Sequence, residues 1–361
     1  MSAETGATGA AGVNLRGLRR HNRSLLLTAI RRSGGLSRIE LAARSGLTQQ
    51  AVSKIVPDLL AAGLVEERRE PASGVGKPRT RLVIRADARA AIGVQLDRDE
   101  VRAVRTDLLG SVVDTVRAPL PAGFDPTRAV RVIARCVAEL SAGLDRAALV
   151  GVGVGALGPL DYRTGIVLGA TGLTGWDAVP LRELLNIALH KPVIVDKDTN
   201  AAAFAHLWRA DDDAATAVVL VGTGLGAGLL IANTVYRGPG TNAGEFGHTT
   251  LMHDGPLCRC GRRGCLETLH DTAPTPREAA RLLGIALADL VQLLDLERIV
   301  LAGRAVWAAP EVYRREAIAQ LGLLPTRQRV QVDVDDIGAD LVAVGAAAEV
   351  LAEFYAADTY A

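Results

Sequence analysis

Gly244-Glu245-Phe246-Gly247-His248, followed by Cys258-Arg259-Cys260-Gly261-Arg262-Arg263-Gly264-Cys265-Leu266-Glu267, is the stretch on which the reading of this chain turns. Three of the four cysteines fall within eight residues, and a histidine stands ten positions before the first of them. Thiolate and imidazole donors suit tetrahedral zinc. A Cys-x-Cys spacing is too tight for one helix face, so it predicts a loop wrapped around a single ion. Gly261 and Gly264 let the chain double back so that Cys265 closes the shell. The spacing therefore predicts a zinc site of His248, Cys258, Cys260 and Cys265, structural in role because four protein ligands leave no open position. The competing reading, three buried or accidental thiols, explains neither the glycines nor the histidine.

The same residues carry a resemblance. Glu-x-Gly-His followed by Cys-x-Cys-Gly-x-x-Gly-Cys-x-Glu is similar, position for position, to the signature of the ROK family (repressors, open reading frames and sugar kinases). The resemblance implies that the metal loop shapes a sugar pocket. It also implies that His248 binds metal on one side and faces a sugar hydroxyl on the other, and that Glu245 and Glu267 accept hydrogen bonds from the sugar. The chemistry agrees: ionised carboxylates are acceptor-only, and a metal-bound imidazole is held in orientation by its surroundings.

The chain has 361 residues, enough for two or three domains, and its 49% apolar but 3% aromatic composition predicts a core of Ala, Val and Leu. The most apolar run, 217–232, is interrupted by Gly222, Gly224, Gly226 and Gly228 and reads as strand-turn-strand, not as a membrane span. The N-terminus has no apolar signal core, which predicts a cytoplasmic protein, and clustered thiols there favour metal over disulfide. Cys136 stands alone in an apolar helical pattern and reads as a small core residue. The net charge of +1 conceals a split: Met1–Arg85 carries 15 Lys+Arg against 6 Asp+Glu, the remainder 26 against 34. A cationic segment on an acidic body points to a nucleic-acid module joined to a body with another task.

Residues 1–14 are Gly/Ala-rich and read as a disordered tail. Residues 15–88 read as a winged helix-turn-helix. A first helix over about 15–32 presents Leu18, Leu25, Leu26, Ala29 and Ile30. Ser37, with Glu40 as capping-box partner, starts a second helix to Ser45 that buries Ile39, Leu41 and Ala42. Gly46 makes the turn, and Thr48 caps a third helix with Val52, Ile55, Val56, Leu59 and Leu60 on one side. Its other side offers Thr48, Gln49, Gln50, Ser53 and Lys54 to a major groove. Strands at Leu64–Glu67 and Thr80–Ile84 flank a basic wing whose Lys77 and Arg79 suit a minor groove. The competing reading is a helical hairpin with a solvated loop. The segment resembles the winged helix-turn-helix that ROK repressors carry and ROK kinases lack.

Residues 89–361 read as α/β, with strands at Ile92–Leu96, Val101–Thr106, Val112–Thr115, Leu149–Val154 and Pro192–Val195 and helices at Pro126–Gly143 and Pro180–Leu189. This body resembles the two-lobed actin-like sugar kinase fold, in which a βββαβα unit occurs twice. Lobe 1 covers about 89–200 plus the C-terminal helix, and lobe 2 about 201–340. Asp198 matches the family's base for the sugar hydroxyl, although Asp198 and Thr199 also suit helix capping. Lys197 stands where the family usually has a sugar-binding Asn. It is expected either to pair with Asp198 or to face a ligand anion.

Kinases of the family have Asp-x-Gly-Gly-Thr after the first strand. The matching residues here are Gln95-Leu96-Asp97-Arg98-Asp99, whose carboxylates are expected to repel a phosphate. A Gly-Gly after Ile299–Ala302 is replaced by Gly303-Arg304, which is expected to crowd an adenosine. The Gly222–Gly228 segment resembles the intact second phosphate loop of ROK kinases, but with the first loop lost it reads as a tight hairpin without ligand. Together these features predict a sugar-responsive transcriptional regulator, repressor in kind and without enzymatic activity. Its partners are operator DNA, a second copy in a twofold dimer, and a sugar or sugar-derivative effector held by Lys197, Asp198, Glu245, His248 and Glu267. The rivals are an ATP-dependent sugar kinase and a regulator whose body has lost effector binding.

Overall fold

The computed structural model describes residues 15–70, 79–170, 173–210, 212–325 and 329–356. The chain forms two compact units, Arg89–Leu351 on one hand and the residues before it together with those from Ala352 on the other. No helix among the described residues is long and apolar enough to cross a membrane.

The N-terminal unit holds α1 (Leu15–Arg32), α2 (Arg38–Ser45), α3 (Gln49–Ala61), β1 (Val65–Glu70) and β2 (Arg79–Ile84). Ser37 and Glu40 form the expected reciprocal capping box, Gly46 turns the chain at φ 68°, and the Thr48 hydroxyl caps α3. β1 and β2 pair antiparallel, with Val65 opposite Ile84. Leu26, Leu27, Ile30, Leu41, Val52 and Leu59 are buried at the centre of the unit. Two expectations fail. Ile39 is 69% exposed, and Leu18 and Leu25 also face solvent. Residues two apart on a helix point in nearly opposite directions, so Ile39 cannot share a face with Leu41, nor Leu25 with the buried Leu27. The tail 1–14, the wing tip 71–78 with Lys77, and the side chain of Arg79 lie outside the described residues.

The larger unit repeats one plan. Its first half runs β3 (Ala90–Leu96), β4 (Glu100–Asp107), β5 (Val112–Pro119), α4 (Pro126–Leu140), β6 (Leu149–Ala156), the short strands β7 (Leu160–Asp161) and β8 (Ile166–Val167), α5 (Leu181–Leu189), β9 (Val193–Lys197) and α6 (Asp198–Arg209). The second runs β10 (Thr216–Val221), β11 (Leu225–Ile231), β12 (Thr234–Val235), α7 (Leu266–Asp271), α8 (Pro276–Leu294), β13 (Arg298–Ala302), α9 (Arg304–Ala308), α10 (Pro310–Leu321), β14 (Gln331–Val334) and α11 (Leu341–Ala356). The two sheets have the orders β5-β4-β3-β6-β9 and β12-β11-β10-β13-β14. In each, three antiparallel strands are followed by two parallel additions, as a βββ meander with helical crossovers requires.

Helices α6 and α11 lie between the sheets. Ala201, Ala202, Ala205, Leu341 and Ala346 form one buried cluster with Val104 from the first sheet and Val218, Leu230 and Val300 from the second. The approach is close enough to demand glycine. A Cβ at Gly228 of β11 would overlap the Thr199 carbonyl oxygen of α6, and one at Gly345 of α11 would overlap that of Ala201. Gly345→Val must therefore push the two helices apart. We expect it to lower stability by about 3 kcal/mol or more, the upper range for core overpacking. An unchanged urea midpoint would show that the helices do not meet at this position.

Candidate functional site

The metal-type cluster assembles at the start of α7. A single 3-10 turn over Phe246–His248 presents the histidine. The cysteine loop folds back through Cys258 N–H to Arg262 O (2.7 Å) and Gly261 N–H to Cys258 O (2.9 Å). Arg262 ties the loop to the histidine segment, donating to His248 O at 3.1 Å and to Thr250 Oγ1 at 2.9 Å. All four donor atoms lie within 4.8 Å of one another. Cys260 Sγ is 3.7 Å from Cys265 Sγ, and Cys258 Sγ is 3.7 Å from His248 Nδ1. A tetrahedron with metal–sulfur bonds of about 2.3 Å has edges of about 3.8 Å, so the spacing fits one four-coordinate ion. Cys258 and Cys265 are buried and Cys260 is exposed.

Beside this loop, the end of β9 and the start of α6 deliver Asp196, Lys197 and Asp198 to the gap between the sheets. All five sequence-predicted ligand residues, Lys197, Asp198, Glu245, His248 and Glu267, line one cavity of about 70 Å³, together with Arg98. The three carboxylates among them already accept hydrogen bonds. Lys197, with a side chain 3% exposed, donates to Glu245 Oε1 and Ala243 O, both at 2.7 Å. Lys197 therefore turns inward, but its partner is Glu245 and not Asp198, because the acceptors of the second lobe lie within its reach. Glu267 Oε2 accepts the Leu225 N–H at 3.0 Å. Asp198 is not the cap of α6. Lys197 occupies the cap position without a side-chain bond, and Asp198 Oδ1 accepts only the adjacent Thr199 N–H at 2.7 Å among the bonds described. Burial, and then the charge of Asp97, push the Asp198 carboxyl up to about 7.

Asp198 also lines a second cavity of about 270 Å³ with Gln95, Asp97, Arg102, Thr223 and Arg304. Asp97 and its neighbour Asp99 do not stand as bare anions, because Arg304 pairs with both. The Gly222–Gly224 turn closes on itself, Gly222 N–H to Gly224 O at 2.9 Å, and joins β10 to β11 as a tight hairpin. Sequence reasoning missed Asp196. This buried residue accepts Lys197 N–H (2.7 Å), Asn200 Nδ2 (2.8 Å) and Arg237 Nε (2.7 Å). A carboxylate inside an apolar strand was the available signal. In the N-terminal unit, Gln49, Gln50, Ser53 and Lys54 are all exposed on α3, and the Thr48 hydroxyl is engaged by Ala51 N–H at 3.2 Å.

Comparison with known proteins adds the following. Residues 91–273 match the ROK family, and residues 17–74 match the MarR family. The xylose repressor of Caldicellulosiruptor bescii is 25% identical over 394 residues, covering 95% of this chain and 98% of the repressor. A ROK family glucokinase from Streptomyces griseus, solved with glucose and AMPPNP, superposes with TM-score 0.63 at 27% identity over 72% of this chain and 98% of the kinase. A ROK family transcriptional regulator described as a homolog of the E. coli MLC protein superposes with TM-score 0.76 at 21% identity over 94% of this chain and 98% of its own, a likeness of fold.

Asp198 gives a pH signature. The unfolded chain releases this proton near 3.8 and the folded chain only near 7. Folding thus favours the neutral form, and stability falls as pH rises between those values, levelling off above the higher one. Asp198→Asn cannot ionise. Its stability relative to the unchanged protein should rise from pH 4 to pH 8 in denaturant titrations, and parallel curves would remove the assignment.

Proposed function

The chain belongs to the ROK family, and from that membership we propose that it is a sugar-responsive transcriptional repressor with a non-catalytic kinase-like body. The observation that carries this reading is a helix-turn-helix with an exposed polar α3 face, joined to a ROK body and aligned with a repressor over nearly its whole length. Gln49 and Gln50 would read base edges, with Thr48 and Ser53 alongside, and Lys54, Lys77 and Arg79 would serve phosphates or the minor groove. A twofold homodimer would present two such heads to a palindromic operator. Phosphoryl transfer relies on positioning and neutralising nucleotide phosphates. The Asp97–Asp99 turn has neither the glycines nor the free carboxylates for that task, since Arg304 occupies them.

The intact protein should select a duplex from random DNA, with affinity that falls steeply as salt rises. Gln49→Ala or Gln50→Ala should relax preference at one base position, a loss of about 1–3 kcal/mol. Lys54→Ala should weaken binding evenly across sequences. Failure to enrich any duplex would end this reading, and steady hexose-dependent ADP release would replace it with the kinase.

The Cys3His cluster supports zinc as the resident ion, held by His248, Cys258, Cys260 and Cys265. Bound there, the ion would fix the His248 ring beside the small cavity. We expect one zinc per chain by elemental analysis, lost in Cys265→Ser together with order in the loop. Protein purified without chelator and free of zinc would contradict this.

A second reading is favoured by one contact. With Lys197 on Glu245, a neutral sugar meets an acceptor already taken, as in a body that no longer binds such ligands. A thermal-shift panel of neutral, phosphorylated and acidic sugars separates the cases. Stabilisation by any class supports an effector site formed by Lys197, Asp198, Glu245, His248 and Glu267, and none supports the second reading.

A further inference from the structure

One cluster outside both the metal centre and the small cavity joins the two lobes. Arg304 begins α9, directly after the second-lobe strand β13. Asp97 and Asp99 belong to the β3–β4 turn of the first lobe, and Glu100 begins β4. The Arg304 fork takes Asp99 at both oxygens, Nη1 to Oδ2 at 2.5 Å and Nη2 to Oδ1 at 2.7 Å. Nη2 also reaches Asp97 Oδ2 at 3.1 Å and Glu100 Oε1 at 3.4 Å. Thr223, in the β10–β11 turn of the second lobe, donates its hydroxyl to the other oxygen of Asp97. Two second-lobe segments thus grip a single first-lobe turn.

We propose that Arg304 is a ligand-independent clamp that holds the two lobes together at the mouth of the larger cavity. Three features separate it from an ordinary surface pair. The side chains of Asp97 and Glu100 are only 8% and 9% exposed, so that side of the cluster is less screened than the Arg304–Asp99 fork, whose side chains are 44% and 54% exposed. An arginine fork on a carboxylate fixes distance and plane together, which a lysine cannot do. The receiving turn is rigid in its own right, with Asp97 N–H on Glu100 O at 3.0 Å and Asp97 Oδ1 accepting Arg98 N–H at 2.7 Å. Asp99 is held below the usual carboxylate range, first by its bond to Arg304, and the guanidinium is held charged by the same bond. Without the guanidinium, Asp97 and Asp99 would lose the Arg304 bond and face one another, whereas Glu100 keeps Arg102 and Arg117. The clamp deepens the repressor reading, because it leaves the Lys197–Glu245 side as the place where an effector can move the lobes. Its geometry nevertheless stands apart from that reading.

Hydrogen–deuterium exchange on the full-length protein tests it, with Arg304→Ala, Arg304→Lys, Asp99→Asn and the Arg304→Ala/Asp99→Asn double variant. Arg304→Ala should speed exchange about tenfold or more in both 97–101 and 222–226, the scale of pairwise coupling within one network. Arg304→Lys should give a smaller rise in the same two turns, and the double variant should exchange no faster than Arg304→Ala alone, because Asp99→Asn also removes one of the facing carboxylates. If Arg304→Ala fails to fold, Arg304→Lys and Asp99→Asn carry the test, since changing Asp99 must then loosen the distant 222–226 turn. Unchanged exchange in either turn, or additive effects in the double variant, would overturn the clamp. Operator binding is scored on the same unchanged protein; its absence would count against the repressor and leave the clamp standing.

Discussion

The contact on which the body depends is the approach of α6 and α11 to each other and to a sheet on either side. Each helix serves both lobes, so the lobes have no separate hydrophobic cores along their shared boundary. The approach is possible only because side chains are missing. A Cβ at Gly153 of β6 would overlap the Ala346 carbonyl oxygen of α11, as Gly228 and Gly345 do with α6. The alanines of α6 and α11 fill the remaining space, which accounts for a chain rich in small apolar residues and only 3% aromatic. Packing at this density transmits displacement instead of absorbing it. It also decides where chemistry can sit. The first residue of α6 is the point where both sheets and both cavities meet, and that residue is Asp198.

Charge completes what packing begins. Arg237 takes Asp196 at 2.7 Å and Glu349 at 2.9 Å and lies 4.0 Å over the Tyr162 ring. One guanidinium serves two buried carboxylates. Burial, and then the charge of Asp196, push the Glu349 carboxyl well above its ordinary range. Such a triad contributes little net stability, because desolvation offsets the attraction. Its effect is registry: it fixes β9 of the first lobe against the segment after β12 of the second and against α11. Lys197–Glu245 and Arg304–Asp99 cross the same gap at other points. The lobes therefore meet through directional contacts, each with one satisfied arrangement.

Much of this was legible in the sequence for a physical reason. The metal loop, the capping box at Ser37 and the strand-turn-strand at Gly222 are local, and local geometry is written in spacing and glycines. The four metal-type ligands meet as the spacing predicts, and the five cleft residues line one cavity. What was not legible is long-range pairing. Lys197 and Glu245 are 48 residues apart and Arg304 and Asp99 are 205 apart, so their partnership follows from the fold and not from any motif. Asp97, Asp99 and Arg304 each read as unfit for a nucleotide, yet nothing in the sequence says that they pair with one another. Ile39 and Leu25 face solvent for a simpler reason, an apolar face read too wide: Leu26, Ile30, Leu41 and Ala42 of the same faces are buried.

The Lys197–Glu245 pair decides what kind of ligand the small cavity can accept. Removing one partner of a buried pair costs about 3–5 kcal/mol, and less here because the Glu245 side chain is 42% exposed. A neutral hydroxyl ring gains about 0.5–1.5 kcal/mol per hydrogen bond. Several such bonds would be consumed in restoring what Lys197 loses, because a hydroxyl cannot replace a carboxylate as partner to an ammonium that is almost fully buried. A ligand bearing both hydroxyls and an anion has no such deficit. It can offer hydroxyls to Glu245 and its own charge to Lys197, so the pair is exchanged and not merely broken. For a ligand that entered this cavity, charge would therefore count for more than the number of its hydroxyls.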